Sequence, residues 1–434
     1  MSLAKNDNVI LQNEFLERQY SLDSVGVDSA VGAINAFLTN VAKGSLKKRS
    51  SRRGGRRKQK KDYTFDKTVY NVRTQLHYVK NLKHKYPHNR CIRDQYYSLK
   101  HMFEKEVKKH KVRLKEELLN QMNTFHDKDT RKYWDIFNKL RGGKNNTSKM
   151  VISADKWVNH YRSLYNKPLD YDNNILEELY STERESTMQK QLDDDISDKE
   201  MYDAIKTIKT GKSPGPDAII NEMIKCGKFY LVPMLKKLFN HILHSECFPA
   251  EWKKGYIINI HKSGSMSDPN NYRGITLTSC LGKLFSIIMN ARLVQYLNAE
   301  NIYSDFQFGF RAEHRTTDSI YILNEIMSQY RKSNKKLYVA FIDFHKAFDK
   351  VWRAALLLKL MKLGIGGHFY RVIKSMYTDN LSAVRLDGVY SEYFECPLGV
   401  RQGDGLSPTL FNVFMNDVHS LFHDVGCHPA KYGE

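Results

Sequence analysis

The sequence predicts an α+β fold preceded by a basic, mainly helical region, and three patterns carry this prediction. Apolar residues return at helical intervals between positions 97 and 119, with Lys and Glu between them. Short runs rich in β-branched and aromatic residues predict strands at 256–260, 337–342, 381–386 and 391–396. The last two flank Asp387-Gly388, which is a hairpin-turn signal. The second half of the chain therefore mixes strands with helices.

The balance of charge indicates a polyanionic partner, most simply nucleic acid. The 434 residues carry a formal net charge of +21, with a pI of about 9.4. No stretch approaches the roughly 18 to 20 apolar residues of a transmembrane helix, and the first residues lack a signal-peptide layout. We expect a protein that acts inside the cell, in the nucleus or the cytoplasm, without a membrane. The six cysteines are scattered with no C-x-x-C pair, which disfavours a zinc site or a disulfide framework.

Composition divides the first half of the chain into three segments. Residues 1–42 contain no repeat or motif and receive no assignment. Residues 43–61 are a basic low-complexity linker without an acidic residue, expected to be disordered when free. Three interpretations stay open for it: nucleic-acid contact through Arg52, Arg53, Arg56 and Arg57, with release of counterions, a nuclear localisation signal, or a solvated linker. Residues 62–189 form a basic helical connector, whose charged faces are either solvated or bind RNA.

After the connector, several helices have recognisable starts. Ser197-x-x-Glu200 is a capping box. Asp217 is placed to cap the helix that begins directly after it, and Pro233 is placed in the first turn of another helix. Residues 281–297 have the pattern of an amphipathic helix.

Three charged residues are candidates for binding a metal ion or a triphosphate. Asp343 closes the predicted strand at 337–342, where a buried carboxylate is costly unless a cation meets it. Two interpretations stay open: Asp343 caps the next helix, or it binds a metal ion. Lys262 and Arg273 lie in a loop beside the strand at 256–260, where Arg offers a bidentate fork and Lys a point charge to a triphosphate. Each is also compatible with an ordinary surface cation.

Two further stretches have the composition of ligand contacts. Arg311 and Arg315 lie among aromatic residues in 306–320, a combination that suits phosphate contact and base stacking. Glycines around Gln402 let the backbone approach a flat ligand. Asp404 is more simply explained as a cap near the following helix than as a metal ligand.

Six windows, in this order, resemble the reverse-transcriptase domain of non-LTR (LINE-like) retrotransposons: GKSPGPDAIINEMIK, FPAEWKKGYIINIHKSG, NYRGITLTSCLGKLF, FQFGFRAEHRTTDSI, FIDFHKAFDKV and GVRQGDGLSPTLFNVFMNDV. Each window alone is weak evidence for the resemblance, whereas six windows in the correct order at plausible spacing are strong evidence. The resemblance covers about 190–434, with a core at about 242–434. It implies a right-handed polymerase fold with fingers and a partial palm, and without a thumb.

The resemblance implies an RNA-directed DNA polymerase with a two-magnesium mechanism. Asp343 matches the first palm aspartate, which binds both Mg²⁺ ions. The implied partners are an RNA template, a DNA primer or target, and deoxynucleoside triphosphates. The implied nucleotide contacts are Phe348 under the incoming sugar, Lys262 and Arg273 at the triphosphate, and Gln402-Gly403 against the nascent base pair.

In one respect the chain departs from the family. The aromatic-Ala-Asp-Asp tetrad that follows the Ser407 helix and completes the magnesium site does not occur in the sequence. We therefore expect a reverse transcriptase truncated at its C-terminus, with little or no activity, because one aspartate does not hold two Mg²⁺ ions against water. The alternatives are a relic that binds RNA or DNA without catalysis, and a product that folds unstably because its palm sheet keeps an unpaired edge.

Overall fold

The computed structural model describes residues 6–45, 66–125, 136, 152–166, 173–185, 190–386 and 388–423. The chain divides into two compact units, Met1–Lys47 with Met150–Glu434, and Lys48–Lys149. The first unit combines helices with a small mixed sheet, and the described part of the second is helical. The predicted α+β class is confirmed.

One five-stranded sheet is formed by the described residues of the first unit, in the order β2-β1-β3-β4, with β5 also paired to β3. Strand β1 is antiparallel to β2 and parallel to β3, and β3 is antiparallel to β4 and β5. The predicted hairpin is confirmed by the pairing of Leu386 with Val389; Asp387 itself lies outside the described residues. The strands are β1 Lys254–His261, β2 Tyr272–Leu277, β3 Leu381–Leu386, β4 Val389–Tyr390 and β5 Phe394–Glu395.

Helices account for most of the remaining described residues. The second unit contains α3 Lys67–Lys85 and α4 Arg90–Phe125. The first unit contains α1 Asn6–Glu17, α2 Ser24–Ser45, α5 Ala154–Tyr165, α6 Asn173–Glu185, α7 Lys190–Asp193, α8 Asp198–Thr207, α9 Asn221–Ser245, α10 Cys280–Ala299, α11 Thr316–Lys332, α12 Arg353–Lys362, α13 Gly367–Met376, α14 Ser407–Met415 and α15 Ser420–His423.

Helix α10 lies at the centre of the core of the first unit. The sequence predicts an amphipathic helix here, and the burial agrees: a broad buried side includes Phe285, Met289 and Leu293, whereas Ala291 and Gln295 on the opposite side are exposed. Phe285 packs edge-on against Phe239 of α9, with ring centroids 5.2 Å apart. On another side, a Cβ at Gly282 would lie only 3.2 Å from the Trp252 ring. The helix therefore depends on neighbours that are distant in sequence.

A buried arginine joins α10 to the segment before α8. Arg292 donates through Nε and Nη2 to the two carboxylate oxygens of Glu200, at 2.6 and 3.1 Å. Its Nη1 donates to the carbonyl oxygens of Leu192 and Asp194, at 2.9 and 2.6 Å. Glu200 also completes the predicted capping box with Ser197, which is confirmed. The Glu200 carboxylate thus caps the N-terminus of α8 and pairs with the buried guanidinium of Arg292.

The N-terminal helices, which the sequence leaves unassigned, pack into the same core. Val27, Val31 and Ile34 of α2 are fully buried in it. The segment Ser24–Lys43 is long and apolar enough to cross a membrane, contrary to the expectation that no stretch approaches that length. Because its apolar side chains contribute to the protein core, the segment carries no argument for a membrane.

The predicted strand at 337–342 is wrong. This stretch pairs with no described residue, and Tyr338 and Phe341 are 87% and 84% exposed. A β-rich composition favours an extended backbone, but a strand needs a neighbour for its N–H and C=O groups. The described residues offer none at this place.

Two predicted helix starts are also wrong. Pro233 lies inside α9, on its exposed side, where water can reach the carbonyl that loses its helical partner. Asp217 accepts from the N–H of Ile219 at 3.2 Å, but the helix begins only at Asn221. Ala218 has φ +57°, a left-handed conformation that breaks the backbone between them.

The second unit contains an antiparallel pair of helices. Val69 and Val79 of α3 are buried between them. Asp66 caps α3 by accepting from the Val69 N–H at 2.9 Å, and it lies 3.3 Å from the guanidinium of Arg113 on α4. The Asp66 carboxylate thereby caps the N-terminus of α3 and pairs with Arg113 of α4.

We predict that Arg292→Ala lowers the free energy of unfolding by about 3 to 5 kcal/mol, as for other broken buried ion pairs. The variant leaves the Glu200 carboxylate without its cationic partner, although Ser197 still donates to it, and it removes the side-chain donor of the Leu192 and Asp194 carbonyl oxygens. Urea denaturation followed by circular dichroism measures the change. Lys206→Ala, which removes an exposed ion pair, is the control and should change the midpoint far less. Equal effects of the two variants would contradict the prediction.

Candidate active site

The loop that contains Gln402 and Gly403 lies along the edge of β2. The carbonyl oxygen of Gln402 accepts from the N–H of Thr276 at 3.0 Å. Gly403 has φ +112°, and a Cβ there would lie 3.0 Å from the Thr276 carbonyl oxygen. Glycine is required at this position because both the backbone conformation and the close approach exclude a side chain.

Phe348 and the residues after it run beside the start of the same loop. The carbonyl oxygen of Phe348 accepts from Val400 at 2.8 Å, and the carbonyl oxygen of Val351 accepts from Gly399 at 2.9 Å. A Cβ at Gly399, which has φ +79°, would lie 2.7 Å from the carbonyl oxygen of Asp349. The two segments are therefore held at a distance that only glycine permits.

Aromatic neighbours fix the ring of Phe348. It stacks on Phe411 of α14, with centroids 4.8 Å apart and planes at 13°, and Phe310 contacts it edge-on at 5.8 Å. The aromatic residue predicted to lie under the sugar is thus held in place by two other rings.

Asp349 is the residue that joins these parts, and the sequence does not single it out. Its carboxylate accepts from Gln402 Nε2 at 3.1 Å and from the Tyr165 hydroxyl at 3.4 Å. Burial raises the pKa of Asp349 to about 6, and the positive charges of Lys346 and Arg273 oppose this rise. No local pattern in the sequence reveals that an Asp beside a predicted helix start is buried.

The two predicted triphosphate cations lie on the β1–β2 hairpin. Arg273 is paired with Ile260 across the hairpin, so it lies on a strand and not in a loop as predicted. Lys262 follows β1 directly, and its N–H donates to the Asn271 carbonyl oxygen at 2.8 Å. Because side chains alternate along a strand, Lys262 and Arg273 project from the same side of the hairpin. Both are exposed, and Arg273 is close enough to act on the Asp349 carboxylate.

Asp343 is exposed in the unpaired segment before Lys346. Its carboxylate has no hydrogen-bond or ion-pair partner among the described residues. Within the same residues, no group of three His, Cys, Asp or Glu side chains is placed to hold a metal ion. Asp349 is already bonded to Gln402 and Tyr165. The described residues therefore do not by themselves form the two-magnesium site that the resemblance implies.

The predicted nucleic-acid contacts have different surroundings. Arg311 donates to the carbonyl oxygens of Ser304 and Gln307, at 3.1 and 3.2 Å, and so holds its own loop. Arg315 is exposed directly before α11, where its N–H donates to Asp318 at 2.7 Å. The predicted contacts in the basic linker, Arg52, Arg53, Arg56 and Arg57, lie outside the described residues.

Asp404 does not cap α14, whose start has no side-chain cap, so that prediction is wrong. Its carboxyl group is buried beside Ser286 of α10 and the Gly405 N–H, and burial raises its pKa. Nearby, the Arg401 guanidinium donates to the carbonyl oxygens of Trp252, at 3.0 Å, and Lys253. Spacing suggested a surface cap, whereas the loop turns inward and places the carboxylate beside α10.

Comparison with known proteins finds a match for the residues of this site. The family "Reverse transcriptase (RNA-dependent DNA polymerase)" matches residues 260–432. Over 221 residues the chain is 35% identical to "Probable RNA-directed DNA polymerase from transposon BS" and 32% identical to "RNA-directed DNA polymerase from mobile element jockey", both of Drosophila melanogaster. Each alignment covers 51% of this chain and 24% of the relative.

A third relative comes from another insect. Over 251 residues, the chain is 28% identical to "Retrovirus-related Pol polyprotein from type-1 retrotransposable element R1" of Bradysia coprophila, an alignment that covers 56% of this chain and 24% of the relative. The chain thus spans about a quarter of the length of these curated relatives. Lys262, Arg273, Phe348, Asp349 and Gln402 lie inside the matched residues 260–432.

We predict that Asp349→Asn raises the free energy of unfolding at pH 8 and raises it far less at pH 4.5. Because the pKa of Asp349 rises from its usual 3.8 to about 6 on folding, the folded chain binds this proton more tightly than the unfolded chain. Stability is therefore lost as the pH rises from about 4 to about 6. A tenfold change in proton affinity is worth about 1.4 kcal/mol, which limits the gain at pH 8 to about 3 kcal/mol.

Urea denaturation at the two pH values measures this difference. Asp305→Asn, at an exposed position, is the matched control and should have the same effect at both. An Asp349→Asn effect that does not depend on pH would contradict the prediction.

Proposed function

We propose that this chain, which belongs to the reverse-transcriptase family through residues 260–432, forms part of an RNA-directed DNA polymerase of a non-LTR retrotransposon. Such an enzyme adds deoxynucleotides to a primer 3′-hydroxyl along an RNA template, in the nucleus or the cytoplasm. One observation carries the proposal: Arg273, Phe348 and Gln402 surround the buried carboxyl group of Asp349. Three nucleotide contacts implied by the resemblance thus come together from separate parts of the chain.

Each residue has a definite task in this proposal. Arg273 and Lys262, exposed on one side of the β1–β2 hairpin, bind the triphosphate, with Arg as a fork and Lys as a point charge. The ring of Phe348 lies under the sugar and cannot move aside for a 2′-hydroxyl, because Phe411 and Phe310 hold it. Gln402-Gly403 presents a flat surface to the new base pair. The hairpin then belongs to the fingers and residues 343–349 to the palm.

The metal requirement separates two candidate functions. In the family, magnesium activates the primer hydroxyl and stabilises the leaving pyrophosphate. Among the described residues, no group of three His, Cys, Asp or Glu side chains is placed to hold it, and Asp343 is exposed. This observation favours, as the second candidate, a protein that binds RNA and DNA without extending the primer.

A cationic face of α4 supports nucleic-acid binding in either case. Lys105, Lys108, Lys109 and Arg113 line a concave surface of about 520 Å³ together with Val112. Lys109 and Arg113 have carboxylate neighbours, at 2.9 and 3.3 Å. Lys105 and Lys108 are exposed and form no ion pair with a described residue. Their charges are therefore available to phosphate groups.

The proposed function is tested by binding of the templated deoxynucleotide to the chain held on an RNA template with an annealed DNA primer. We expect the complementary nucleotide to bind about tenfold or more tightly than a mismatched one, since only the former forms a base pair against the Gln402 loop. Arg273→Ala should weaken both nucleotides by about tenfold, the value of a charge-assisted hydrogen bond. Fluorescence titration of a labelled template measures these affinities. Equal binding of matched and mismatched nucleotides would overturn the proposal.

Primer extension with Mg²⁺ then decides between the two candidates. Because no group of three His, Cys, Asp or Glu side chains among the described residues is placed to hold a metal ion, we expect extension near background while primer–template binding persists. Extension that Asp343→Asn abolishes and Asp305→Asn preserves would establish the polymerase in this polypeptide and contradict the expectation of low activity.

We predict that Lys105→Glu with Lys108→Glu weakens RNA binding and makes it less dependent on salt. If both lysines contact phosphate, the slope of log K against log salt falls by about two. Fluorescence anisotropy with a labelled single-stranded RNA measures this slope between 50 and 200 mM salt, the range in which such effects are large.

The matched control is Lys199→Glu with Lys206→Glu, the same change of charge at exposed positions of α8. Equal slopes for the two double variants would exclude the α4 face as an RNA-binding surface.

A further inference from the structure

We propose that Asp349 is a positioning residue, which fixes the orientation of the Gln402 side-chain amide toward the nucleotide, and that Tyr165 of α5 completes this arrangement. The consequence for nucleotide binding rests on the proposed function, whereas the arrangement itself rests on geometry. It extends the nucleotide site to a helix that lies outside the matched residues 260–432.

The backbone of Gln402 is already fixed, so the open question is the direction of its side-chain amide. The carbonyl oxygen of Gln402 is bonded to Thr276, and Gly403 lies against the same residue. An ionised carboxylate only accepts hydrogen bonds, so the amide group must turn its NH₂ toward Asp349, at 3.1 Å. The amide oxygen of Gln402 is then left to face other groups. The charge on Asp349 thereby selects one of two orientations that have the same shape.

The second oxygen of Asp349 is held by Tyr165, the last residue of α5. Burial and the nearby charge of Asp349 raise the pKa of Tyr165 well above its usual value, so its hydroxyl remains a donor. With both carboxylate oxygens accepting from neutral donors, the carboxylate has little freedom to rotate.

Helix α5 is itself fixed on the sheet. Trp157 packs edge-on against Tyr272 of β2 at 5.0 Å. The Tyr161 hydroxyl donates to Asn259 of β1 at 2.5 Å, and its ring stacks on Phe394 of β5 at 6.2 Å. Contacts with three strands therefore determine where Tyr165 meets Asp349.

The remaining groups that face Asp349 leave it sensitive to pH. Lys346, which donates to the Tyr272 carbonyl oxygen at 3.1 Å, and Arg273 supply positive charge. Tyr161, Tyr165 and Cys396 are the titratable groups that its charge reaches. A proton on Asp349, bound at a pKa of about 6, turns an obligate acceptor into a group that also donates, and both amide orientations of Gln402 become possible. The selection of one orientation should thus be lost as the pH falls below about 6.

A double-mutant cycle tests the coupling. Asp349→Asn keeps the shape but offers both a donor and an acceptor, so it permits both amide orientations. We expect it to weaken binding of the templated nucleotide by about five- to tenfold at pH 8. Combined with Gln402→Ala it should add little further loss, whereas combined with Lys262→Ala the losses should multiply. Multiplicative losses in both pairs would overturn the proposal.

An NMR titration tests the arrangement without a nucleotide. In a chain labelled with ¹⁵N-glutamine, the Gln402 side-chain signal is identified by its absence in Gln402→Ala. Its shift should follow pH with a midpoint near the Asp349 pKa of about 6, and Asp349→Asn should abolish this step. A Gln402 signal that titrates unchanged in Asp349→Asn, or does not titrate in the unmodified chain, would overturn the proposal.

Two tyrosine variants separate positioning from a general structural effect. Tyr165→Phe should move the midpoint of the Gln402 titration upward, because the carboxylate loses a donor that stabilises its charge. Tyr161→Phe, which removes a hydroxyl from the same helix that bonds Asn259, should leave the midpoint in place. Equal midpoints for the two variants would exclude Tyr165. If the unmodified chain binds no nucleotide, the proposed function fails, and the NMR titration still decides this inference.

Discussion

The burial of most of α10 is the constraint on which the first unit depends. A helix with only a narrow exposed stripe must be covered by several elements, and α9, α14 and Trp252 are among those that cover it. The candidate site is attached to the same helix, because Asp404 is buried beside Ser286 of α10 and Arg401 donates to the carbonyl oxygen of Trp252. A shift of α10 would therefore move the loop that carries Gln402.

The features that could be predicted from the sequence are those set by local chemistry. The capping box at Ser197 and Glu200 and the hairpin around Gly388 depend on residues within a few positions of each other, so their patterns are sufficient. The family resemblance likewise comes from short windows, and on it rests the prediction that the Gln402 loop and Phe348 contact the nucleotide. These signals do not require knowledge of which residues become buried.

Features set by distant contacts could not be predicted in this way. Asp349 carries no motif in the sequence and Asp404 looks like a helix cap, because nothing beside them shows that α5 and α10 will cover them. Tyr165, about 180 positions before its partner, carries no motif. The same limit explains the wrong strand at 337–342. Its β-branched and aromatic residues favour an extended backbone, whereas a strand forms only when a neighbouring segment pairs with it.

Several polar groups around the Gln402 loop are buried, which lowers the stability of the fold. Their hydrogen bonds fix the position of the loop. The Asp349 carboxylate is buried without a direct ion pair, and one oxygen of Asp404 has no partner among the described residues. Apolar side chains of similar volume would make such a loop more stable. Two half-buried arginines also hold this loop: Arg353 donates to the carbonyl oxygen of Gly399, and Arg401 donates to the carbonyl oxygen of Trp252.

Hydrogen bonds of this kind have fixed directions, whereas apolar contacts permit a loop to slide. Gln402 is held by its main-chain bond to Thr276 and its side-chain bond to Asp349, so two of its groups are oriented before any ligand arrives. A ligand that binds there does not need to order the loop, and the entropy of ordering is not subtracted from its affinity. Burying Asp349 lowers the stability of the fold, and the same buried carboxylate fixes the conformation of the Gln402 loop before any ligand arrives.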